Sequence, residues 1–259
     1  MIQEELHTKN VTENTSEETV IEIIDLHKSF GKTNEVLKGV SAKVSKGENL
    51  VMLGRSGSGK SVIIKCLVRL IEADSGVINV FGNDITKLTR QELNEVRIRI
   101  GFLFQNAALY DSMTVRENLA FPLRHQTKKM TADEKNNIIL ESLENVGLAD
   151  VIDKMPSELS GGMRKRIGLA RTLILKPEII LYDEPTTGLD TITSREISEL
   201  ILSIQEKYKT SSIIITHDMA CAKLTGNRIV VLKEGVIEAE GSYEELENGK
   251  DEWVRSFFI

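Results

Sequence analysis

The chain has 259 residues, 41% hydrophobic and 28% charged, a composition that can bury a sizeable core in one domain with an inserted lobe. No apolar run approaches the roughly 20 residues needed to cross a bilayer. The amino terminus lacks a positive segment followed by an apolar one, so we expect neither a membrane-spanning nor a secreted protein. The net charge of −6 gives no long-range attraction for nucleic acid or anionic lipid headgroups.

Residues 1–18 are polar and rich in Glu, Thr and Asn, which predicts a flexible tail. From residue 20 onward, apolar residues alternate with polar ones over 20–26 and again over 36–44, and a short apolar run follows at 50–53. These patterns predict strands that build a small β lobe and then enter a central sheet.

A glycine-rich sequence, GRSGSGKS, follows the third predicted strand and precedes an apolar helical segment. Strand, loop and helix in this order are typical of a phosphate-binding loop, in which glycines let successive N–H groups converge on the phosphates. Lys60 can reach the terminal phosphates, and the Ser61 hydroxyl can ligate Mg²⁺. The pattern recurs by chance in about one such chain in a hundred, so a plain connecting turn is the alternative. The predicted nucleotide-binding residues here are Gly54, Arg55, Ser56, Gly57, Ser58, Gly59, Lys60, Ser61 and Val62.

The two cysteines have no spacing suited to metal binding. Cys66 lies in the helix after the glycine-rich loop, and Cys221 lies in a later helical segment. Both are predicted to be buried thiols in a reducing compartment, which points to the cytoplasm.

A helical region is predicted between residues 105 and 160. Apolar spacing over 114–120 and 131–146 is typical of amphipathic helices, with Thr114 and Thr131 as their caps. A strand is predicted over 97–105, delivering Gln105 into the loop that precedes these helices.

The sequence ELSGGM, ending at Met163, precedes a predicted helix over 164–175. Ser160 can cap this helix, and the glycines expose backbone N–H groups where an anion can bind. Taken alone, the sequence is better explained as an ordinary helix cap.

Two adjacent carboxylates, Asp183 and Glu184, end an apolar run that reads as a buried parallel strand. Ligands bind at the carboxyl ends of strands in open α/β sheets, so Asp183 is placed to hold Mg²⁺. Glu184 can accept a proton from the water that attacks the γ-phosphate. For the pair alone, a helix cap or solvated turn is the alternative. His217 similarly follows a strand predicted over 212–216, although a lone histidine is usually structural.

Together these motifs resemble those of ATP-binding-cassette (ABC) ATPases, over about residues 20–241. The implied fold is α/β, a P-loop NTPase (RecA-like) core with an N-terminal antiparallel β lobe and an inserted helical lobe. The implied organisation is a tail at 1–18, one ATPase domain at 19–241 with the helical lobe at about 106–165, and a helical tail at 242–259. The motifs, in chain order, are 54–61, Gln105, 159–163, 179–184, 187–190 and His217.

The resemblance implies the chemistry of ATP hydrolysis with Mg²⁺. Gln105 is expected to meet Mg²⁺ or the attacking water, and His217 is expected to hold the γ-phosphate and Glu184 in register. The implied catalytic residues are Lys60, Gln105, Glu184 and His217. The implied Mg²⁺ ligands are Ser61, Gln105 and Asp183.

The resemblance also implies a homodimer, because the LSGGM signature contacts the γ-phosphate held by the opposite subunit. Asp190 matches a dimer-interface loop, and Phe30 matches an aromatic that stacks on adenine. Two departures are Met163 where Gln is usual and Thr191 where Pro is frequent. The further implied nucleotide contacts are Phe30, Ser160, Gly161, Gly162 and Asp190.

A narrower resemblance, to ATPases of the Mla and Mce lipid-transport systems, covers residues 101–115, 118–124 and 156–171, including Met163. It implies a homodimer beneath two copies of a permease, at the cytoplasmic face of a bacterial inner membrane. The complex, and not this chain, would move phospholipid to or from an Mce-type lipid-binding protein. Lobe packing shared by many importers is the alternative explanation of these residues.

Other functions stay open at this point. An ATPase for amino acids or lipoproteins is the runner-up within the family. A non-transport ABC protein acting on nucleic acid or ribosomes would be expected to carry a coiled-coil insert, tandem cassettes or zinc-binding cysteines, and a catalytically dead scaffold would lack Lys60, Asp183 or Glu184. The aromatic residues Trp253, Phe257 and Phe258 either pack on the domain or contact a neighbouring subunit.

Overall fold

The computed structural model describes residues 18–31, 33–124 and 130–258, and the predicted flexible tail therefore lies almost wholly outside the described residues. The strands are β1 (Thr19–Phe30), β2 (Asn34–Ser45), β3 (Asn49–Gly54), β4 (Ser75–Val80), β5 (Asn83–Asp84), β6 (Ile100–Leu103), β7 (Ile179–Asp183), β8 (Ser211–Ile215), β9 (Arg228–Lys233) and β10 (Val236–Gly241). The helices are α1 (Lys60–Leu67), α2 (Arg90–Ile98), α3 (Val115–Leu123), α4 (Ala132–Glu144), α5 (Gly161–Leu173), α6 (Thr191–Tyr208), α7 (Met219–Thr225), α8 (Tyr243–Glu247) and α9 (Glu252–Arg255), with 3₁₀ turns at Ala149–Val151 and Pro156–Glu158.

The N-terminal sheet has four strands in the order β2-β1-β4-β5, and all its described pairs are antiparallel. Buried and exposed residues alternate along much of β2, as expected for a strand with one face on the core. The pairing of β1 shifts register between Ile23 and Leu26, where Asp25 has a φ of 49°. The predicted antiparallel β lobe is confirmed.

The second sheet has six strands in the order β10-β9-β3-β8-β7-β6. Its strands are parallel except for β10, which pairs antiparallel with β9 at the edge. Every residue of β3, β7 and β8 is buried, because the sheet is covered on both faces. These three strands are neighbours, so their carboxyl ends lie side by side.

Two hydrophobic cores cover the faces of this sheet. The first contains α1 and lies between the six-stranded sheet and the antiparallel sheet. The second packs α6 and α7 on the opposite face, where the C-terminal tail also packs. The confirmed architecture is therefore the predicted α/β core with an attached antiparallel lobe.

The helical lobe has a third core, formed by α3, α4 and part of α5. The helices α3 and α4 begin with capping boxes, in which Thr114 pairs with Glu117 and Thr131 pairs with Glu134. This core extends along α5 to Ile174, beyond the proposed lobe limit near residue 165. The proposed domain boundaries stay a prediction.

The strand predicted over 97–105 is wrong at its start. Arg97 belongs to α2, which begins with a capping box between Thr89 and Glu92 and buries Leu93 and Val96 on one face. The Arg97 guanidinium donates hydrogen bonds to the carbonyls of Val68 and Arg69, which fixes the helix end in place. The helix predicted over 164–175 instead starts at Gly161, because Ser160 caps it.

The C-terminal tail packs on the second core of its own chain. Trp253 lies under the Lys233 ammonium, 4.5 Å from the ring centre, and Tyr243 lies under Lys223 at 4.6 Å. Phe257 packs edge-on against Trp253, and Phe258 packs edge-on against Tyr243. Of the two alternatives for these aromatics, the structure has the first, packing on the domain.

Cys66 and Cys221 are both buried and free, as predicted. Burial raises the pKa of the Cys66 thiol to about 11. No helix among the described ranges is both long and apolar enough to span a membrane.

Asn118 organises the loop that leads into α3. It is fully buried; its side-chain amide donates to the carbonyls of Tyr110, Met113 and Thr114, and its side-chain oxygen accepts from the Tyr110 N–H. We expect Asn118→Ala to lower the free energy of unfolding by about 2–3 kcal/mol, because buried backbone groups lose their partner. Urea denaturation followed by circular dichroism measures this.

The matched control is Asn137→Ala, which changes an exposed amide on α4. This control is expected to stay within about 0.5 kcal/mol of the wild type. Equal stability of the two variants would contradict the organising role of Asn118.

Candidate functional site

A cavity of about 720 Å³ opens at the carboxyl ends of β3, β7 and β8. All nine predicted residues of the glycine-rich loop, from Gly54 to Val62, line it. Gln105, Glu184 and His217 line the same cavity, so residues far apart in the chain meet there. Val36 and Phe257 complete the walls, and neither was singled out as a ligand contact from the sequence.

The glycine-rich loop leaves no room for side chains at two positions. Gly59 has a φ of 108°, and a Cβ there would lie 2.7 Å from Leu37 Cδ2. A Cβ at Gly54 would lie 2.5 Å from the Leu232 carbonyl oxygen and 2.7 Å from Ser58 Oγ. The loop therefore requires glycine at both positions, and its backbone forms a cradle at the start of α1.

The cradle carries one buried hydroxyl without a hydrogen-bond partner among the described residues, Ser58 Oγ. Buried polar groups are normally paired, so this hydroxyl is suited to a ligand that accepts hydrogen bonds. Together with the N–H groups of the loop and the amino end of α1, it fits a phosphate group.

Lys60 is the buried cation of the cradle, with 7% of its surface exposed. Its ammonium donates to the carbonyl oxygens of Gly54 at 2.7 Å and Arg55 at 3.1 Å, so it stays folded over the loop. Burial lowers the pKa of Lys60, and the negative charges of Glu184 and Asp183 oppose that lowering.

Two of the three predicted Mg²⁺ ligands are in contact. Ser61 Oγ donates to Asp183 Oδ1 at 2.7 Å, across the gap between α1 and β7, and Gln105 borders the same cavity. Within the described ranges no cluster of three or more His, Cys, Asp or Glu side chains could hold a metal ion. Mg²⁺ prefers one or two carboxylates together with phosphate oxygens and water, so this sparse oxygen set fits Mg²⁺ bound with a nucleotide.

Glu184 is held from three sides. Its backbone has a left-handed φ of 53°, uncommon for a residue with a side chain, and its N–H donates to the Ile215 carbonyl on β8. Its Oε2 accepts from Thr187 Oγ1 at 2.9 Å and lies 2.7 Å from His217 Nδ1. The carboxylate is thus fixed at the cavity wall, where a general base would be needed. No local pattern in the sequence assigns this contact to Thr187.

The LSGGM signature lies away from this cavity. Ser160 caps α5 by accepting from the Met163 N–H, and both Ser160 and Gly161 are exposed. Gly162 packs so close to α6 that a Cβ would lie 2.5 Å from Thr193 Cγ2. Their contact with a nucleotide stays a prediction.

Asp190 and Phe30 do not line the cavity either. The Asp190 carboxylate caps α6 by accepting from the N–H and hydroxyl of Thr193, and these hydrogen bonds lower the pKa of Asp190. Phe30 ends β1 with 44% of its surface exposed, and the Lys28 ammonium lies 5.6 Å from its ring centre. The interface role of Asp190 and the stacking role of Phe30 stay predictions.

Phe257 is the aromatic residue that the structure brings to the cavity. Its place depends on the packing of α9 against Lys233, which local patterns do not encode. The available signal was the spacing of Trp253 and Phe257, four residues apart and therefore on one side of a helix.

Comparison with known proteins places this chain in a family. A family model described as ABC transporter matches residues 37–187. The structure superposes on a dimeric, post-hydrolysis state of the ATP-binding cassette MJ0796 bound to ADP and Pi, with a TM-score of 0.79 and 31% identity, covering 86% of this chain and 98% of that one.

Three similar sequences carry different transport names. The chain is 40% identical over 237 residues to the probable ribonucleotide transport ATP-binding protein mkl of Mycobacterium leprae, covering 92% of this chain and 68% of mkl. It is 38% identical over 262 residues to the chloroplastic protein TRIGALACTOSYLDIACYLGLYCEROL 3 of Arabidopsis thaliana, covering 95% and 74%. It is 42% identical over 224 residues to the methionine import ATP-binding protein MetN of Rhizobium etli, covering 86% of this chain and 61% of MetN.

The position of Glu184 predicts that Glu184→Gln slows phosphate release by at least about 100-fold, because an amide does not accept the proton of water. ATP binding should persist, since the glycine-rich loop and Lys60 are unchanged. Single-turnover phosphate release and nucleotide titration measure the two effects separately. Glu199→Gln, which changes an exposed carboxylate on α6, is the control, and release from Glu184→Gln at the wild-type rate would refute the assignment.

The position of Phe257 predicts that Phe257→Ala weakens nucleotide binding roughly five-fold, because about 1 kcal/mol of aromatic contact is lost. The dissociation constant for ATP, measured by calorimetry, tests this. Phe258→Ala removes a neighbouring ring that packs on Tyr243, and it should leave affinity unchanged. If both variants bind alike, Phe257 is only part of the tail packing.

Proposed function

The chain belongs to the ABC transporter family and is an ATPase that binds ATP with Mg²⁺, and on this basis we propose that it drives a separate permease that moves phospholipid or a related lipid. In this proposal the chain is part of a lipid-transport complex and lies at the cytoplasmic face of a bacterial inner membrane. An Mce-type lipid-binding protein is the proposed carrier on the far side. Lipid is handled by the complex and not by this chain.

The proposed hydrolysis uses the cavity residues in fixed roles. The N–H groups of residues 54–61 and the Lys60 ammonium bind and orient the phosphates, while Ser61, Asp183 and Gln105 would hold Mg²⁺. When bound, Mg²⁺ supplies charge neutralisation of the phosphate oxygens. Glu184 accepts the proton of the attacking water. His217, 2.7 Å from its carboxylate, keeps that carboxylate in line with the γ-phosphate.

A homodimer is the proposed working form. Its support is that Ser160 and Gly161 are exposed at the amino end of α5, outside the cavity of their own chain. Apolar side chains near Asp190 are exposed as well, with Ile192 74% and Leu224 41% exposed, and a dimer would cover such a surface. ATP between the signature of one chain and the loop of the other would hold two chains together.

This dimer predicts that Glu184→Gln accumulates as an ATP-bound dimer. ATP should persist in that variant, and its γ-phosphate would keep the two chains joined. Size-exclusion chromatography with multi-angle scattering, with ATP or ADP, measures the mass directly. A monomer in saturating ATP would contradict the dimer without touching the ATPase assignment.

The lipid proposal rests mainly on the similarity to the Arabidopsis protein, whose name includes that of a galactolipid. That similarity spans 95% of this chain. The segment that resembles lipid-transport ATPases, residues 101–124, supports the proposal. In that segment Asn118 orders the loop after Gln105, and Tyr110 stands 40% exposed beside Phe121 and Arg171. We propose this loop as the permease contact.

Purification of the full-length chain from native membranes, with its partners retained, tests the lipid proposal. We expect a permease, an Mce-type subunit and bound phospholipid, each identified by mass spectrometry. Tyr110→Ala should reduce the recovery of the permease several-fold while ATP affinity stays unchanged, because Tyr110 lies outside the nucleotide cavity.

Methionine import is the second candidate, favoured by the 42% identity to MetN of Rhizobium etli. Recovery of an amino-acid permease, without phospholipid or an Mce-type subunit, would establish this candidate and refute lipid transport. The ATPase assignment would survive that outcome.

A further inference from the structure

Lys165 is a buried cation in α5, the helix that begins at the LSGGM signature. Only 6% of its surface is exposed, and it lies four residues before Leu169 and eight before Leu173, on the same buried helix face. The pattern of that face calls for an apolar residue at this position. A lysine there needs a specific partner.

The partner is the backbone of Glu184. Lys165 Nζ donates a hydrogen bond to the Glu184 carbonyl oxygen at 2.9 Å. Burial lowers the pKa of Lys165, and the nearby charges of Glu184 and Asp183 oppose that lowering. An ammonium is costly to bury, and here two carboxylates and a carbonyl compensate it.

The carbonyl that accepts from Lys165 belongs to Glu184, whose backbone is in the left-handed region. Glu184 has a φ of 53°, and the same carbonyl also accepts a longer hydrogen bond, of 3.3 Å, from the Thr187 N–H. Its side chain is held separately by Thr187 Oγ1 and His217 Nδ1. Lys165 thus supports the backbone on which this side-chain arrangement depends, and it does so from the signature helix.

The helix α5 is packed into two cores. Leu169 and Leu173 pack in the core under the six-stranded sheet, whereas Ile167 and Ala170 pack in the helical lobe. Lys165 lies five residues from Ser160. A displacement of the signature end of this helix therefore changes the position of Lys165 relative to the Glu184 carbonyl. The hydrogen bond therefore links signature and carboxylate within one chain.

We propose that Lys165 is a positioning residue that couples the helix of the LSGGM signature to the hydrolytic carboxylate Glu184 of the same chain. It does not touch the cavity, so its effect is on the geometry of Glu184 and not on nucleotide binding. The proposal rests on the proposed role of Glu184 as general base.

The test is ATP hydrolysis by the full-length chain carrying Lys165→Met, which keeps an unbranched side chain of nearly the same length and removes the donor and the charge. We expect kcat to fall about 10- to 100-fold, the effect of a misplaced general base, while KM and the dissociation constant for ATP change less than about two-fold. Lys165→Arg keeps a charged donor and should recover most of the lost kcat.

Arg166→Met is the matched control on the next residue of the same helix. Arg166 pairs with Glu196 at 2.7 Å and donates to the Val146 carbonyl, away from Glu184. This variant should keep kcat within about two-fold of the wild type.

Three results would overturn the proposal: wild-type kcat for Lys165→Met, a parallel loss of ATP affinity, or equal kcat for Lys165→Met and Lys165→Arg. Glu184→Gln is assayed in parallel, because its turnover tests the role of Glu184 as general base alone. The failure of that role can then be told apart from the failure of the proposal for Lys165. In the Glu184→Gln background, Lys165→Met should lower the residual rate less than about two-fold, since the geometry of a lost base no longer matters.

Discussion

The site depends on the side-by-side placement of three buried parallel strands, β3, β7 and β8. Parallel strands bring their carboxyl ends to one edge, so the loops that follow them share one space. Gly54, Glu184 and His217 are widely separated in the chain, yet they line one cavity for this reason. Because all residues of these strands are buried, the strands cannot shift in register without disrupting the core. The functional side chains at their ends are therefore held in fixed positions.

Charge balance adds a second level of order at this edge. The acid pair Asp183–Glu184 lies between two buried lysines, and the carboxylate charges oppose the loss of proton affinity that burial imposes on both. Lys60 comes from the glycine-rich loop, and Lys165 comes from α5, the helix that begins at the LSGGM signature. Each ammonium hydrogen-bonds to backbone carbonyls, so these cations shape the chain around the site as well as its electrostatics.

Sequence alone predicted the parts of the site that are contiguous in the chain. An apolar run followed by glycines or acids indicates both the buried strand and the groups at its end, which is why residues 54–61 and 183–184 could be singled out from the sequence. Residues that tertiary packing brings to the site have weaker signals in the sequence. Phe257 is placed by the packing of the C-terminal tail, Thr187 by a turn, and Lys165 by the buried face of α5. The strand expected at Arg97 was wrong because the capping pair Thr89 and Glu92 outweighs local apolar character.

Phe257 makes the end of the described chain part of the cavity wall that begins near residue 54. A bulky probe attached to residue 258 would lie one residue from that wall. Such a probe would compete for the space that admits nucleotide. A spectroscopic label at this position would therefore report directly on whether the cavity is filled.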